Sequence, residues 1–412
     1  MTRHGEAGRR GKEVRSDCWI GIDIRAAGGI TVDLKSKVQA LYGADIRRRI
    51  AAGCAALGVA HAAIEVDDQG ALPFVLDARL EAAVKRAWPD CAGAWLPAAR
   101  ADTAGGSERE RLRRTRLYLP GNEPKFMANA GLHQPDGLIL DLEDSVAPAE
   151  KDAARVLVRN ALRVVDFYGA ERMVRINQGE RGLADLDWIV PHGVQLVLLP
   201  KVEDPAQVVA ARDRIDTLRA THHRAAPVWL MPIVESARGA WLAYEIADAV
   251  DTVVGLAIGL EDYTADIGAE RTLEGRESFW ARAQVLNGAR AAGVQPIDTV
   301  FSDVADMEAL RRSVEEARSL GFVGKGCIHP RQIPVVHDAF APPAASIEKA
   351  TKIVRAFEEA LAKGLGVVSL GSKMIDPPVV KRAQATVDSA LAAGRLAADW
   401  RDRTAAGEGR TS

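Results

Sequence analysis

Val228-Trp229-Leu230-Met231-Pro232-Ile233-Val234-Glu235 and Val253-Val254-Gly255-Leu256-Ala257-Ile258-Gly259-Leu260-Glu261-Asp262 are two short apolar runs that each stop at a carboxylate. Runs of this length read as strands buried on both faces, the kind found in parallel sheets. In a barrel of parallel strands all the C-terminal ends share one face, and that face carries the chemistry. Glu235 and Asp262 are thereby predicted to meet there. Two carboxylates suit Mg²⁺, which takes one or two of them and leaves its other positions to water and substrate oxygens. The plainer reading, that each carboxylate caps the helix after its strand, accounts for one such residue more readily than for two on adjacent strands. Glu261 is the neighbouring alternative, because strand alternation points only one of the pair inward.

Working outward, similar runs occur at 115–119, 137–142, 173–176, 195–199, 228–234, 252–258, 295–299 and 326–328, with helical segments between them. Eight strands alternating with helices predict an α/β chain with a (β/α)₈ TIM barrel over 111–343. A helical C-terminal extension, 344–412, follows and carries a proline-stopped loop with Asp376. Ahead of the barrel, 15–88 reads as a small α+β domain, with strand-like Cys18–Ile24, Ile30–Leu34 and Ala62–Val66, a helix from Val38 to Leu57, a hairpin turn at Asp67-Asp68-Gln69-Gly70 and a helix from Ala78 to Ala87. Residues 89–110, with Pro89, Gly93, Pro97, Gly105 and Gly106, have linker composition. The basic segment 1–14 reads as a disordered tail.

A chain of 412 residues exceeds the usual size of one core. A net charge of −2 gives no reason to expect nucleic acid. Cys18, Cys54, Cys91 and Cys327 are scattered, without metal-ligand spacing, as in a reducing, cytoplasmic setting. No apolar stretch approaches the ~20 residues of a membrane span, and no apolar segment backs the basic start as a secretory signal would require.

Other candidates sit at strand ends. Arg175, in Met173-Val174-Arg175-Ile176-Asn177, is placed to clamp a carboxylate or polarise a carbonyl, or to pair with Glu143 or Asp144. Lys201 follows Leu199-Pro200; a Schiff-base role would need a depressed pKa, and beside a metal a supporting role is the expectation. His329 precedes Pro330 and is a binding candidate, and Asp376 alone would be a turn residue.

In this order the chain carries Arg116-Leu-Tyr-Leu-Pro-Gly-Asn122, Leu140-Asp-Leu-Glu-Asp-Ser-Val146, Val174-Arg-Ile-Asn177, Leu199-Pro-Lys201, Ile233-Val-Glu-Ser-Ala-Arg-Gly239, Gly259-Leu-Glu-Asp-Tyr-Thr-Ala-Asp-Ile-Gly268, Cys327-Ile-His-Pro330 and Lys373-Met-Ile-Asp376. From Thr115 to the helix near Ala398 it closely resembles the citrate lyase β subunit group of the HpcH/HpaI-like aldolases, which includes malyl-CoA and β-methylmalyl-CoA lyases. The resemblance implies a TIM barrel with Mg²⁺ on Glu235 and Asp262. It makes Arg175 the residue that binds the oxo acid and polarises its carbonyl, and puts Arg116 at the substrate or thioester pocket. Glu143 and His329 complete the expected substrate-binding set. Asp376 matches an acid/base residue that the tail of a neighbouring subunit delivers, implying a homo-oligomer, a trimer or hexamer. Residues 15–87, through Ser16-Asp17, Leu34-Lys-Ser-Lys-Val38, Asp67-Asp-Gln-Gly-Ala-Leu72 and Ala78-Arg-Leu-Glu-Ala82, resemble the citrate lyase γ subunit, an acyl carrier protein. Its members bear a dephospho-CoA-type prosthetic group on a serine in Ser-Gly-Asp or Ser-Ser-Asp. Here Arg15 stands at the usual serine position and Ser16 is the candidate attachment point.

The expected activity is cleavage of a citryl thioester, carried on CoA or on the carrier, to oxaloacetate and acetyl thioester. The alternatives are a malyl-CoA or β-methylmalyl-CoA lyase or thioesterase, and a non-catalytic assembly subunit of a citrate lyase-like complex. A citrate lyase α (transferase) subunit is an expected partner.

Overall fold

The computed structural model describes residues 3–362, 368–370 and 373–401. The chain divides into two compact units between Ile333 and Pro334, ten residues earlier than the sequence-based boundary, because the helix Gln332–Phe340 starts directly after the last barrel strand's turn.

The first unit opens with a four-stranded sheet of β1 (Arg3–Gly8), β2 (Cys18–Ile24), β3 (Ile30–Ser36) and β4 (Ala62–Asp68), in spatial order β1-β2-β4-β3. Only the β3–β4 pair is parallel. Two helices, α1 (Gln39–Ala56) and α2 (Pro73–Ala87), complete the domain. The expectation of a disordered tail over 1–14 is corrected here: β1 pairs along its whole length with β2. Its inward face is made of Gly5 and Ala7, and a Cβ on Gly5 would lie 2.3 Å from Ala83 O of α2. Side chains this small leave no apolar alternation to read. The Asp67–Gly70 turn is also corrected. It leads from β4 into α2, not into a strand, and Asp68 Oδ1 accepts the Gly70 and Ala71 amides to turn the chain, with Pro73 at the first helical position.

All eight apolar runs become strands of one closed parallel barrel: β5 (Thr115–Pro120), β6 (Gly137–Asp141), β7 (Glu171–Arg175), β8 (Leu196–Leu199), β9 (Trp229–Val234), β10 (Gly255–Ile258), β11 (Gln295–Asp298) and β12 (Gly324–Cys327). Ile139, Met173, Leu196, Leu198, Met231, Ile233, Val254, Ala257 and Ile297 pack together as its apolar core, as expected of a filled barrel. The segment expected to be a linker is tied down instead. Arg172 donates to Thr103 O and Gly105 O, Gln195 to Gly105 O and Gly106 O, and Trp229 Nε1 to Ser107 O. These contacts lie at the N-terminal ends of β7, β8 and β9, where Arg113 and Glu171 form a wholly buried pair.

The second unit holds the helices Ala344–Ala362 and Pro377–Ala392 and a two-stranded hairpin, β13 (Val368–Leu370) with β14 (Lys373–Ile375). Ile353, Val354, Val387 and Trp400 are in its apolar core. No described helix is long and apolar enough to cross a membrane.

His192 ends a short 3₁₀ turn after the helix Gly179–Ile189, and its Nδ1 accepts from Arg163 Nη1 at 3.0 Å. Burial, reinforced by the charges of Arg159 and Arg163, pushes its pKa down to about 3. The unfolded chain therefore takes up this proton first as pH falls below the ordinary histidine value near 6.5, and the folded state loses stability through that window. Between pH 6.5 and pH 5 the loss is expected to be about 2 kcal/mol. Urea unfolding of wild type and His192→Asn at both pH values checks it; equal slopes would exclude this origin.

Candidate active site

The C-terminal rim is organised by charge. Asp141 and Arg175 close β6 and β7 as register partners. Arg175 donates Nε and Nη2 to the two Asp141 oxygens at 2.7 and 2.8 Å, while Nη1 lies 3.1 Å from Glu143 and 3.8 Å from Asp144. Burial works against both charges, but the paired hydrogen bonds outweigh it and hold Asp141 below the ordinary carboxylate range and Arg175 above the ordinary guanidinium value. The guanidinium also stands 5.3 Å from the centre of the Tyr118 ring.

Lys201 follows β8 with a positive φ of 49°, a backbone conformation that costs a non-glycine residue energy. The turn aims its amide at Glu235 Oε2, 2.9 Å away. Its ammonium lies 3.3 Å from Glu143, 3.4 Å from Asp144 and 3.5 Å from Asp262. Burial opposes the charge, and the three carboxylates more than offset it, so the Lys201 pKa is raised. A Schiff-base nucleophile needs the opposite shift.

Glu235 follows β9 and is 7% exposed. Burial pushes its carboxyl up to about 7, with Asp262 and Glu143 adding to the rise. Gly259 makes room for it: a Cβ there would stand 2.4 Å from Glu235 Oε1. β10 ends at Ile258, and Glu261 and Asp262 belong to the first turn of the helix Leu260–Asp266. The expectation that strand alternation selects between them is corrected, since a helical turn does so. Glu261 pairs with Arg271 and Asp262 faces Lys201. Leu260 N donates to Thr299 Oγ1 at 3.2 Å and ties this turn to the end of β11.

Glu235, Asp262, Arg175 and Arg116 line one cleft of about 450 Å³ together with Tyr118, Asp141 and Asp144. Arg116 is fully buried, touches Met231 Sδ at 3.1 Å, and its Nε has no hydrogen-bond partner in the protein. Desolvation lowers its pKa. A buried guanidinium without a carboxylate is costly, and a ligand carboxylate entering the cleft would meet it. Among the described residues no group of three or more His, Cys, Asp and Glu side chains is arranged to hold a metal. Glu235 and Asp262 instead supply two hard oxygen donors, with Asp262 adding to the rise that burial imposes on the Glu235 carboxyl, a donor set that fits a hydrated Mg²⁺.

The remaining expected residues are placed differently. Glu143 does not line the cleft; it stands behind, gripping Arg175, Lys201 and Gln178 Nε2. His329 does not line it either, and its Nδ1 accepts the Arg331 amide at 3.1 Å. Asp376, in the second unit, caps the helix Pro377–Ala392 by accepting from Val379 N. Ser16 is half-buried with φ 55° and donates its amide to Gln69 O at 3.2 Å. Four residues lay outside the sequence expectation: Tyr118, two positions beyond Arg116 on the same face of β5; Asp141; and the buried Asp298–Lys325 pair at 2.8 Å, which Arg282 joins. Strand register would have found the last three, since Asp141 stands opposite Arg175 and Asp298 opposite Lys325.

Comparison with known proteins agrees with this layout. The family model described as HpcH/HpaI aldolase/citrate lyase matches residues 114–330. The chain belongs to that family. A model for carbon–carbon bond lyases of the TIM-barrel fold matches 277–394, and one described as malonate decarboxylase delta subunit, an acyl carrier family, matches 9–87. The citrate lyase subunit beta of Leuconostoc mesenteroides subsp. cremoris is 41% identical over 278 residues, 67% of this chain and 92% of that protein. Human mitochondrial citramalyl-CoA lyase is 34% identical over 288 residues, covering 67% and 84%. The crystal structure of CitE from Mycobacterium tuberculosis in complex with magnesium, acetoacetate and coenzyme A superposes with a TM-score of 0.58 at 32% identity, covering 69% of this chain and all of that one. By family this chain is a carbon–carbon lyase with a carrier-like domain fused ahead of its barrel.

Gly259→Ala should leave the fold intact, because the atom it meets is the end of a flexible side chain, but should displace Glu235. A shift of about 1 Å at such a group is expected to cost on the order of 100-fold in turnover, read from product release beside an unchanged circular dichroism spectrum.

Proposed function

We propose that this chain cleaves an acyl thioester of a hydroxy acid, with citryl thioester as substrate and oxaloacetate and acetyl thioester as products. The observation that carries the reading is the pairing, in one cleft, of two carboxylates suited to Mg²⁺ with a buried, unpaired Arg116 and an anchored Arg175. Glu235 and Asp262 would hold the ion, which when bound acts as a Lewis acid on the oxo-acid oxygens. Arg116 would take a substrate carboxylate. Of the five N–H donors of Arg175, Asp141 takes two, and the outward ones would face the oxygen that becomes the carbonyl. Loss of the hydroxyl proton breaks the carbon–carbon bond and sends its electron pair into the thioester as an enolate, whose carbon is then protonated. Asp376 of a neighbouring subunit in a homo-oligomer is the acid in this proposal. A dephospho-CoA-type arm on Ser16 and a transferase α subunit as partner belong to the same reading.

A second reading is supported by the 34% identity to citramalyl-CoA lyase, together with Arg15 at the usual serine position: free CoA thioesters of a smaller hydroxy acid are then the substrates. Citryl-CoA, citramalyl-CoA and malyl-CoA, assayed side by side with Mg²⁺ and with EDTA, separate the readings by release of oxaloacetate, pyruvate or glyoxylate. The first product is expected, abolished by EDTA and reduced at least about 1,000-fold in Glu235→Ala and Asp262→Ala. Undiminished turnover in EDTA would refute the metal assignment, and absence of every product would refute the lyase reading.

A further inference from the structure

We propose that the N-terminal domain is fixed to its own barrel and does not swing as a mobile carrier, and that Arg79 positions the Ser16–Asp17 turn beside the loop that follows β5. A thioester presented at that turn is then used by the barrel of the same chain. This last step rests on the proposed lyase function; the fixed docking does not.

The first support is α2. Of its residues only Pro73, Lys85 and Arg86 reach solvent, whereas a carrier that travels would keep one polar helix face. One side of α2 receives β1, and the other lies against the barrel helix Lys151–Val164. Arg159 of that helix donates to both oxygens of Glu81 at 2.9 and 2.8 Å, and Asn160 Nδ2 donates to Phe74 O at 3.2 Å. Arg86 reaches both oxygens of Asp152 at 2.8 and 2.7 Å. Glu81 and Arg159 are almost wholly buried, and separating them would strand two desolvated charges. Reversible undocking on every turnover would repeat that cost.

The second support is the connection. Trp95 N donates to Glu81 and Trp95 Nε1 to Asp77, Arg163 Nε donates to Pro97 O, and Arg100 N to Arg163 O. Together with the contacts of residues 103–107 already described, this leaves no slack between the domains.

Arg79 extends the docking to the chemistry. Its Nε and Nη2 bind the two Asp17 oxygens at 2.9 Å each, and Nη2 also donates to Asn122 O at 3.0 Å. Gly121 N, one residue earlier, donates to Asp141 O at 2.7 Å, and the Asp141 carboxylate holds Arg175. Hydrogen bonds joined by short lengths of backbone thus connect the Ser16–Asp17 turn to the arginine of the cleft. Gly121 permits it, because a Cβ there would stand 2.4 Å from Asp141 O.

Hydrogen exchange on the intact chain tests the docking without reference to activity. The amides of 75–84 in α2 are expected to exchange as slowly as those of β6 and β7, with the same urea dependence. Exchange at least 100-fold faster, with a shallow urea dependence, would report a domain that undocks while the barrel stays folded, and would overturn the proposal. A second measurement joins Arg86→Cys to Asp152→Cys with a thiol-cleavable bridging reagent; Cys18, Cys54, Cys91 and Cys327 are buried and spared. Turnover of citryl-CoA should change less than twofold on bridging. Loss on bridging with recovery on cleavage would overturn the proposal. A double variant inactive before bridging, in a preparation where wild type is also inactive, counts against the lyase function alone, and the exchange result decides the docking.

Discussion

The Arg175–Asp141 pair is the interaction on which the rim depends. Two strands end opposite each other with opposite charges, so register itself makes the contact, and both hydrogen bonds form without any loop rearrangement. With Arg175 fixed, Glu143 and Asp144 are drawn in, and they in turn hold Lys201. The result is a nearly neutral shelf. Beside it two groups are left unbalanced: a buried carboxylate whose proton affinity is raised, and a buried guanidinium without a carboxylate. One asks for a cation and the other for an anion, and they line the same cleft.

The barrel was legible because strands buried on both faces must be apolar throughout, and eight such runs separated by helical segments leave few other architectures. Glu235 and Arg175 were legible for a related reason, being charges ending runs that otherwise exclude charge, whereas Arg116 was expected only from the family resemblance. Asp141 was not, since it shares a segment with Glu143 and Asp144 and only pairing with β7 distinguishes them. Asp262 was expected beside Glu235 for an incomplete reason, because an apolar strand passing into a helix through Gly259 and Leu260 has no composition change at the boundary. β1 escaped because its buried face consists of glycine and alanine, which fill space by letting α2 approach closely.

The fused domain extends the same charge economy away from the cleft. Arg79 and Arg159 each neutralise a buried acid of that domain, and each also reaches beyond it: Arg79 to a loop of the rim, Arg159 from a helix of the barrel wall. Carrier-like sheet, connecting segment and barrel therefore share one set of buried pairs within a single compact unit.

This arrangement sets a timing problem during translation. The α2 helix is complete at Ala87, but the helix that covers its second face ends at Val164. At the usual pace of about 5–20 residues per second, the apolar face of α2 waits on the order of ten seconds for its cover. Glu81 and the alanines beside it stand open to solvent or to a chaperone throughout that interval. The nascent domain is thus most exposed to misassociation before Arg175, Glu235 and Asp262 of the cleft have been made.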